Sequence, residues 1–288
     1  MSSSTAIRPP ATLAARGRKT MDPARGQWVR FTILAVVTAI VLVPVGAVFL
    51  LALQPPVATG GSVGFASFVY VLTQTATLQW LINSLWVTLV TVIAAVAVAA
   101  PAGYVVSRGR NRLVAGYSLL LFIVQSLPVI VSVIPLFILF ANLGLADSLI
   151  GITIIYVGGT LSVAIWMMAA YFDSIPISLE EAAWMDGCSV FGSFLRVVLR
   201  NSLPGVLSTA IFSFLVCWND YLIAVIFLRS NDKFTLPVGL QTFFQQNATD
   251  WGPVMAVAVI MLLPPILVFG CLSRYFSVGG IGGSLAGQ

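Results

Sequence analysis

Six stretches of mostly apolar residues, at approximately 31–53, 81–107, 115–140, 149–172, 204–228 and 253–273, are separated by shorter polar segments. About 20 such residues in a helix cross the roughly 30 Å hydrocarbon layer of a bilayer. Backbone groups in lipid must be satisfied within the element itself, so each run is expected to be a transmembrane helix. The chain thus reads as an all-α polytopic membrane protein with six spans. Its first run exceeds the apolar core of about 7–15 residues in a secretory signal. Because Gln54-Pro55-Pro56 follow it rather than a small-residue cleavage site, it is expected to be a retained anchor.

The expected organisation is a disordered basic tail (1–28), a first transmembrane helix (29–53), an extracytoplasmic segment (54–80), a core of five spans (81–273) with a cytoplasmic loop (173–203), and a cytoplasmic tail (274–288). The segment 54–80 mixes Gly60-Gly61 with Phe65, Phe68, Val69, Tyr70 and Leu72, enough for a short surface helix. Pro44, Pro101, Pro128, Pro135, Pro204, Pro264 and Pro265 interrupt spans. Each frees a carbonyl that a neighbour or water must satisfy, so kinks around an internal cavity are expected.

Composition narrows the chemistry. Hydrophobic residues make up 59% and charged residues 8% of 288 positions, against about 25% charged in a soluble domain. There is no histidine, which excludes an HExxH zinc site, a Ser-His-Asp triad and a Cys-His pair. Cys188, Cys217 and Cys271 form no CxxC, so neither a metal cluster nor a disulfide framework is indicated.

The formal charge of +5 follows topology rather than a nucleic-acid face. With the N-terminus inside, the inner segments hold twelve Lys/Arg (Arg8, Arg16, Arg18, Lys19, Arg25, Arg30, Arg108, Arg110, Arg112, Arg196, Arg200 and Arg274), against Arg229 and Lys233 outside. This asymmetry places both termini in the cytoplasm. The basic tail would then lie near anionic lipid headgroups. Trp28, Trp80 and Trp251 fall at expected boundaries, as in an aromatic belt.

The most polar stretch of the body runs from Asp173 to Gly187. Ser178 and Glu181 have the spacing of a capping box, and Gly187 is placed to end the helix in a left-handed conformation. A second segment places Phe191, Phe194, Leu195, Val198 and Leu199 at helical spacing, with Arg196 and Arg200 four apart.

Glu181-Ala182-Ala183, Gly187 four residues after Ala183, and Val197-x-Leu199 together resemble the EAA-x3-G-x9-I-x-L-P loop of ABC importer permeases, between the fourth and fifth of six spans. Arg200 stands where the motif has proline, and a proline returns at Pro204. Asn83-Ser84, Leu143-Gly144-Leu145, Trp218-Asn219-Asp220, the run from Thr235 to Leu240, Asp250-Trp251-Gly252 and Arg274-Tyr275-Phe276 resemble the carbohydrate branch, of which the maltose-system G subunit is typical. The resemblance covers the chain from about residue 30.

It implies a type I ABC importer permease fold and a subunit of an ATP-driven, binding-protein-dependent importer of sugars or related polyols in a prokaryotic plasma membrane. The implied partners are a second permease in a heterodimer, an ATPase pair, and an extracytoplasmic solute-binding protein. No cofactor is expected on this chain. Gly17-Arg18-Lys19-Thr20 lacks the P-loop spacing, so ATP and Mg are expected on the partner ATPase.

The residues expected to couple to that ATPase are Ser178, Glu181, Ala182, Ala183, Asp186 and Gly187. Asp220 is the carboxylate that falls within a span, where a charge costs about 3 kcal/mol; with Gln125, Trp218 and Asn219 it is the candidate lining of the translocation path. Thr235, Leu236, Pro237 and Gln241 are the candidate contacts for a binding protein. The rival readings are a membrane-embedded enzyme, for which no nucleophile-base pair exists, and an ion-coupled secondary transporter, which commonly shows repeated halves and several buried ionisable groups.

Overall fold

The computed structural model describes residues 26–244 and 249–285, with side chains as far as Leu272. The expected tail 1–28 therefore lies almost wholly outside the described residues, as does the end of the expected tail 274–288. The chain falls into two units, Met1–Ala47 and Val48–Gln288. Every described element is a helix or a turn.

The described part of the first unit belongs to helix α1 (Gln27–Ala52). Ile33, Ile40 and Val43 there are more than half exposed, as in a helix whose solvent is lipid rather than protein.

The second unit begins with the end of α1, where Ala52 is fully buried. The surface helix expected in 54–80 is α2 (Ala66–Thr73). Helices α3 (Thr77–Arg108) and α6 (Leu149–Asp173) are long and apolar enough to cross a membrane, as is the portion Trp251–Leu272 of α13 (Trp251–Leu285). With α1 they are four unbroken candidate spans among the described residues, or up to six if each of two bent pairs is one span.

One bent pair is the expected third span. It breaks into α4 (Arg112–Ser126) and α5 (Val129–Asn142), which meet at 94°. Proline pushes the residue before it out of the helical region, and Leu127, before Pro128, is extended with ψ 128. The other pair joins α8 (Val190–Ser193), a π-turn (Phe194–Val198) and α9 (Leu199–Asn201) to α10 (Leu203–Trp218) at 76°.

The expected fifth span is also discontinuous. Helix α10 has 16 residues, about 24 Å of rise, and a separate α11 (Leu222–Phe227) follows. A 3-10 turn (Asn231–Lys233) and α12 (Leu236–Gln241) lead to α13.

Helices α3, α6 and α10 form the packed centre. Small residues let membrane helices approach closely, and Ala95, Ala99, Ala164, Thr209 and Ser213 are all buried there. A Cβ on Gly103 would stand 2.8 Å from the Cβ of Met168, and one on Gly205 2.3 Å from the Tyr171 ring. Two clusters of side-chain hydrogen bonds lie at the ends of this centre, and a cavity lies beside it.

Candidate functional site

At one end, α6 hands over to α7 (Ser178–Met185). The expected capping box is absent, because the helix begins one residue earlier than its sequence signal. Ile177 is the N-cap, with helical φ −63 and ψ −25 and no side-chain cap. Its carbonyl accepts both the Glu180 and Glu181 N–H groups, at 2.9 and 3.0 Å, leaving Ser178 inside the first turn. Two carboxylates in that turn, Glu180 and Glu181, favour the helix through its dipole.

The expected C-terminal stop is present. Gly187 has φ +87, Cys188 N–H donates to the Ala183 carbonyl at 2.9 Å, and Gly187 N–H donates to that of Trp184 at 3.0 Å. These two bonds are the Schellman pattern.

Glu180, which the sequence reading passed over, holds α7 in place. It is fully buried. Its Oε2 accepts the Tyr104 hydroxyl at 2.6 Å, and its Oε1 accepts Arg108 Nε at 2.8 Å and Arg108 Nη2 at 2.7 Å. Arg108 Nη2 also donates to the Ile175 carbonyl at 3.1 Å, while Ser107 Oγ donates to Asp173 Oδ1 at 2.6 Å. The last turn of α3 is thereby tied to both the end of α6 and α7. The Trp184 indole donates to Ser193 Oγ at 2.8 Å, which ties α7 to α8.

The opposite face of α7 is open. Ser178, Glu181, Ala182 and Asp186 are exposed, Ala183 is half-buried, and Met185 is 88% exposed. Leu179 on α7 and Phe191 on α8 are exposed apolar residues as well.

A cavity of about 580 Å³ lies at the bend between α4 and α5, walled also by α6, α10 and α11. Gln125 and Asp220 both line it. Asp220 explains the break after α10: its Oδ1 accepts Ile223 N–H at 3.1 Å and Ala224 N–H at 3.2 Å, capping α11, and also the Tyr156 hydroxyl at 2.7 Å.

The other two residues of that group stand elsewhere. Trp218 is 1% exposed, stacks on Phe214, and donates to the Met261 carbonyl at 3.1 Å. That is a packing position, not a wall of the cavity. Asn219 is exposed and donates back to the Leu215 carbonyl at 2.9 Å.

At the other end, α3 holds the segment after α11. Trp80, expected in an aromatic belt, is only 3% exposed and donates to the Asn231 carbonyl at 2.8 Å. Burial is possible there because Gly239 lacks a side chain, and a Cβ on it would strike the Trp80 ring at 2.1 Å. Asn83 donates to the Asp232 and Phe234 carbonyls, both at 2.9 Å, and Ser84 Oγ accepts Leu236 N–H at 2.7 Å.

Asp147, with φ +52, reaches this segment from the α5–α6 connection. It accepts from Arg229 N–H at 2.8 Å, from Ser230 N–H at 3.0 Å, from the Ser230 hydroxyl, and from Lys233 Nζ at 3.3 Å. Burial pushes the Asp147 carboxyl up, but these donors outweigh it and hold the group down at about 2. Of the four candidate binding-protein contacts, Thr235, Leu236 and Pro237 are buried and Gln241 is exposed.

The profile of the family described as "Binding-protein-dependent transport system inner membrane component" matches residues 99–278. Among curated proteins, the chain is 35% identical over 209 residues to the inner membrane ABC transporter permease protein YcjP of Escherichia coli K12, covering 71% of this chain and 73% of that protein. It is 32% identical over 224 residues to the maltodextrin transport system permease protein MalD of Streptococcus pneumoniae, covering 77% and 79%. It is 29% identical over 226 residues to the arabinooligosaccharides transport system permease protein AraQ of Halalkalibacterium halodurans, covering 75% and 79%. The fold matches a chain in the crystal structure of a bacterial ABC transporter involved in the import of the acidic polysaccharide alginate, with TM-score 0.73 and 23% identity over 86% of this chain and 95% of that one.

Proposed function

The chain belongs to the family of binding-protein-dependent transport system inner membrane components, and from that premise we propose that it carries a saccharide and is driven through α7. It is a permease subunit of an ABC importer and not itself an enzyme. Its family operates with a partner permease, an ATPase and a solute-binding protein. In this reading the partner permease differs from this chain, ATP and Mg bind on the ATPase pair, and both termini lie in the cytoplasm. Relatives named as maltodextrin and arabinooligosaccharides transport system permease proteins favour a sugar as the solute.

The observation that carries the coupling role is the two-faced character of α7. One face is pinned through Glu180 to Arg108 and Tyr104, while the other presents Glu181, Ala182 and Met185 uncovered. A rigid short helix of this kind delivers force to the spans it is tied to. Asp186 and Gly187 close its end, and half-buried Ala183 leaves room for close approach. Gln125 and Asp220 are proposed to meet the solute, with Trp218 supporting the wall from behind and Asn219 facing outward. On the opposite side, Gln241 is proposed to touch the binding protein, with Thr235, Leu236 and Pro237 forming the floor beneath it.

The test uses exposed positions, so that folding is spared. The complex carrying Ala182→Trp or Glu181→Arg should assemble but lose most binding-protein-stimulated ATP hydrolysis and uptake. Full retention of both activities in both variants would overturn the coupling role.

A further inference from the structure

The cavity beside α6 has one charge on its wall. Asp220 is its acidic residue, and among the described residues no Lys or Arg lines it. Arg229 is turned onto the Phe137 ring, 5.6 Å from its centroid, and supplies no wall atom. Oδ1 of Asp220 takes three donors, and Oδ2 takes none among the described residues. Oδ2 thus keeps its acceptor capacity, and a donor placed beside it in the cavity would be favoured. The same wall carries Gln125, Ser132 and Ser162, together with the apolar side chains of Leu136 and Val216. Gly158 and Gly159 leave the α6 wall bare, since a Cβ on either would meet nothing within 4 Å.

We propose that this cavity sorts solutes by charge: it accepts neutral polyhydroxyl or amine-bearing groups, which donate to Oδ2 of Asp220, and refuses phosphates and carboxylates. The apolar wall suits the C–H face of a sugar ring, and the neutral side chains can serve its hydroxyls. An anion beside Asp220 meets a like charge with no cation on the wall to offset it. The inference rests on the reading of this chain as a path-forming permease, and it adds a selectivity to that reading.

The experiment needs no knowledge of the natural solute. Ser132→Cys is introduced after Cys188, Cys217 and Cys271 are replaced by Ala, and the full complex is reconstituted in proteoliposomes. Methanethiosulfonates bearing trimethylammonium, sulfonate or hydroxyl groups are then reacted with it, each rate being normalised to that with a free thiol in solution. The cationic reagent should exceed the anionic by about fivefold, the ratio a unit charge about 8 Å from the reacting atom would give in a water-like medium. Asp220→Asn should bring the ratio to about one while leaving the hydroxyl reagent unchanged, and Asp220→Glu should preserve the ratio. If Asp220→Asn does not assemble, raising the salt to about 1 M should collapse the ratio in the Ser132→Cys chain that retains Asp220.

A ratio of one with Asp220 present, or a ratio that survives both Asp220→Asn and high salt, overturns the charge selection. Either result alongside intact ATP-driven uptake leaves the permease reading standing. A hydroxyl-reagent rate that ignores ATP and vanadate would instead count against the cavity as part of the path.

Discussion

Arg108 and Glu180 stand 72 residues apart in the chain and meet at 2.7 Å, the carboxylate fully buried and the guanidinium 18% exposed. Breaking such a pair from one side leaves an uncompensated charge, at a cost of about 3–5 kcal/mol. Glu180→Ala should therefore lower the thermal stability of the purified complex sharply. Replacing both partners together, Arg108→Met with Glu180→Met, should cost much less. Equal losses in the single and double variants would show that the pair is not the relevant interaction.

Gly187 supplies the positive φ that the C-terminal cap of α7 requires. A β-branched residue is poorly suited to that region, whereas asparagine tolerates it. Gly187→Val should destabilise α7 by about 1–2 kcal/mol, and Gly187→Asn by clearly less. Hydrogen exchange over 178–188 in the assembled complex would rank them, with faster exchange in Gly187→Val.

Trp218 and Asn219 are neighbours with opposite expectations. Truncating a fully buried tryptophan costs about 3–5 kcal/mol, so Trp218→Ala should reduce the amount of folded protein recovered from membranes. Asn219→Ala removes only an exposed bond to its own helix and should leave recovery unchanged. Comparable recovery of the two variants would contradict the packing role of Trp218.

Asp147 holds the segment 229–233 at neutral pH. Its folded value of about 2 lies below its ordinary value of 3.8. Its contribution is thus complete above about 4 and is lost as pH falls toward about 2. Asp147→Asn should speed hydrogen exchange in 229–233 about fivefold at pH 7, allowing for partial exposure of the charge. Below pH 2 the variant and the parent should converge. A difference that persists there would assign the effect to something other than ionisation.

The placement of the spans was legible because lipid imposes a simple rule on run length, and the loop motif located α7 and its glycine stop. The discontinuities were harder to read. Pro128 marked one, but only the extended backbone at Leu127 shows that the span turns by 94° rather than kinks. Asp220 stands out in the sequence as a costly charge, but nothing there signals that its carboxylate takes the Ile223 and Ala224 N–H groups at the start of α11.

Glu180 was hidden for a different reason. Adjacent helix positions point about 100° apart, so of two neighbouring glutamates only tertiary context selects the buried one. Its partner Arg108 had already been explained by topology. Trp80 likewise read as an interfacial residue, because its burial depends on Gly239, a residue 159 positions downstream with no signal of its own.

Helix α3 carries anchors at both extremities: Trp80, Asn83 and Ser84 grip the segment 231–236, while Tyr104 and Arg108 grip α7. Its 32 residues make a strut of about 48 Å. Clamped at either end, the strut makes the two faces of the protein a single mechanical circuit. A displacement of α7 would travel to Asn231 along α3 rather than through the cavity, and within α3 Pro101 lacks the backbone donor that would stiffen the helix.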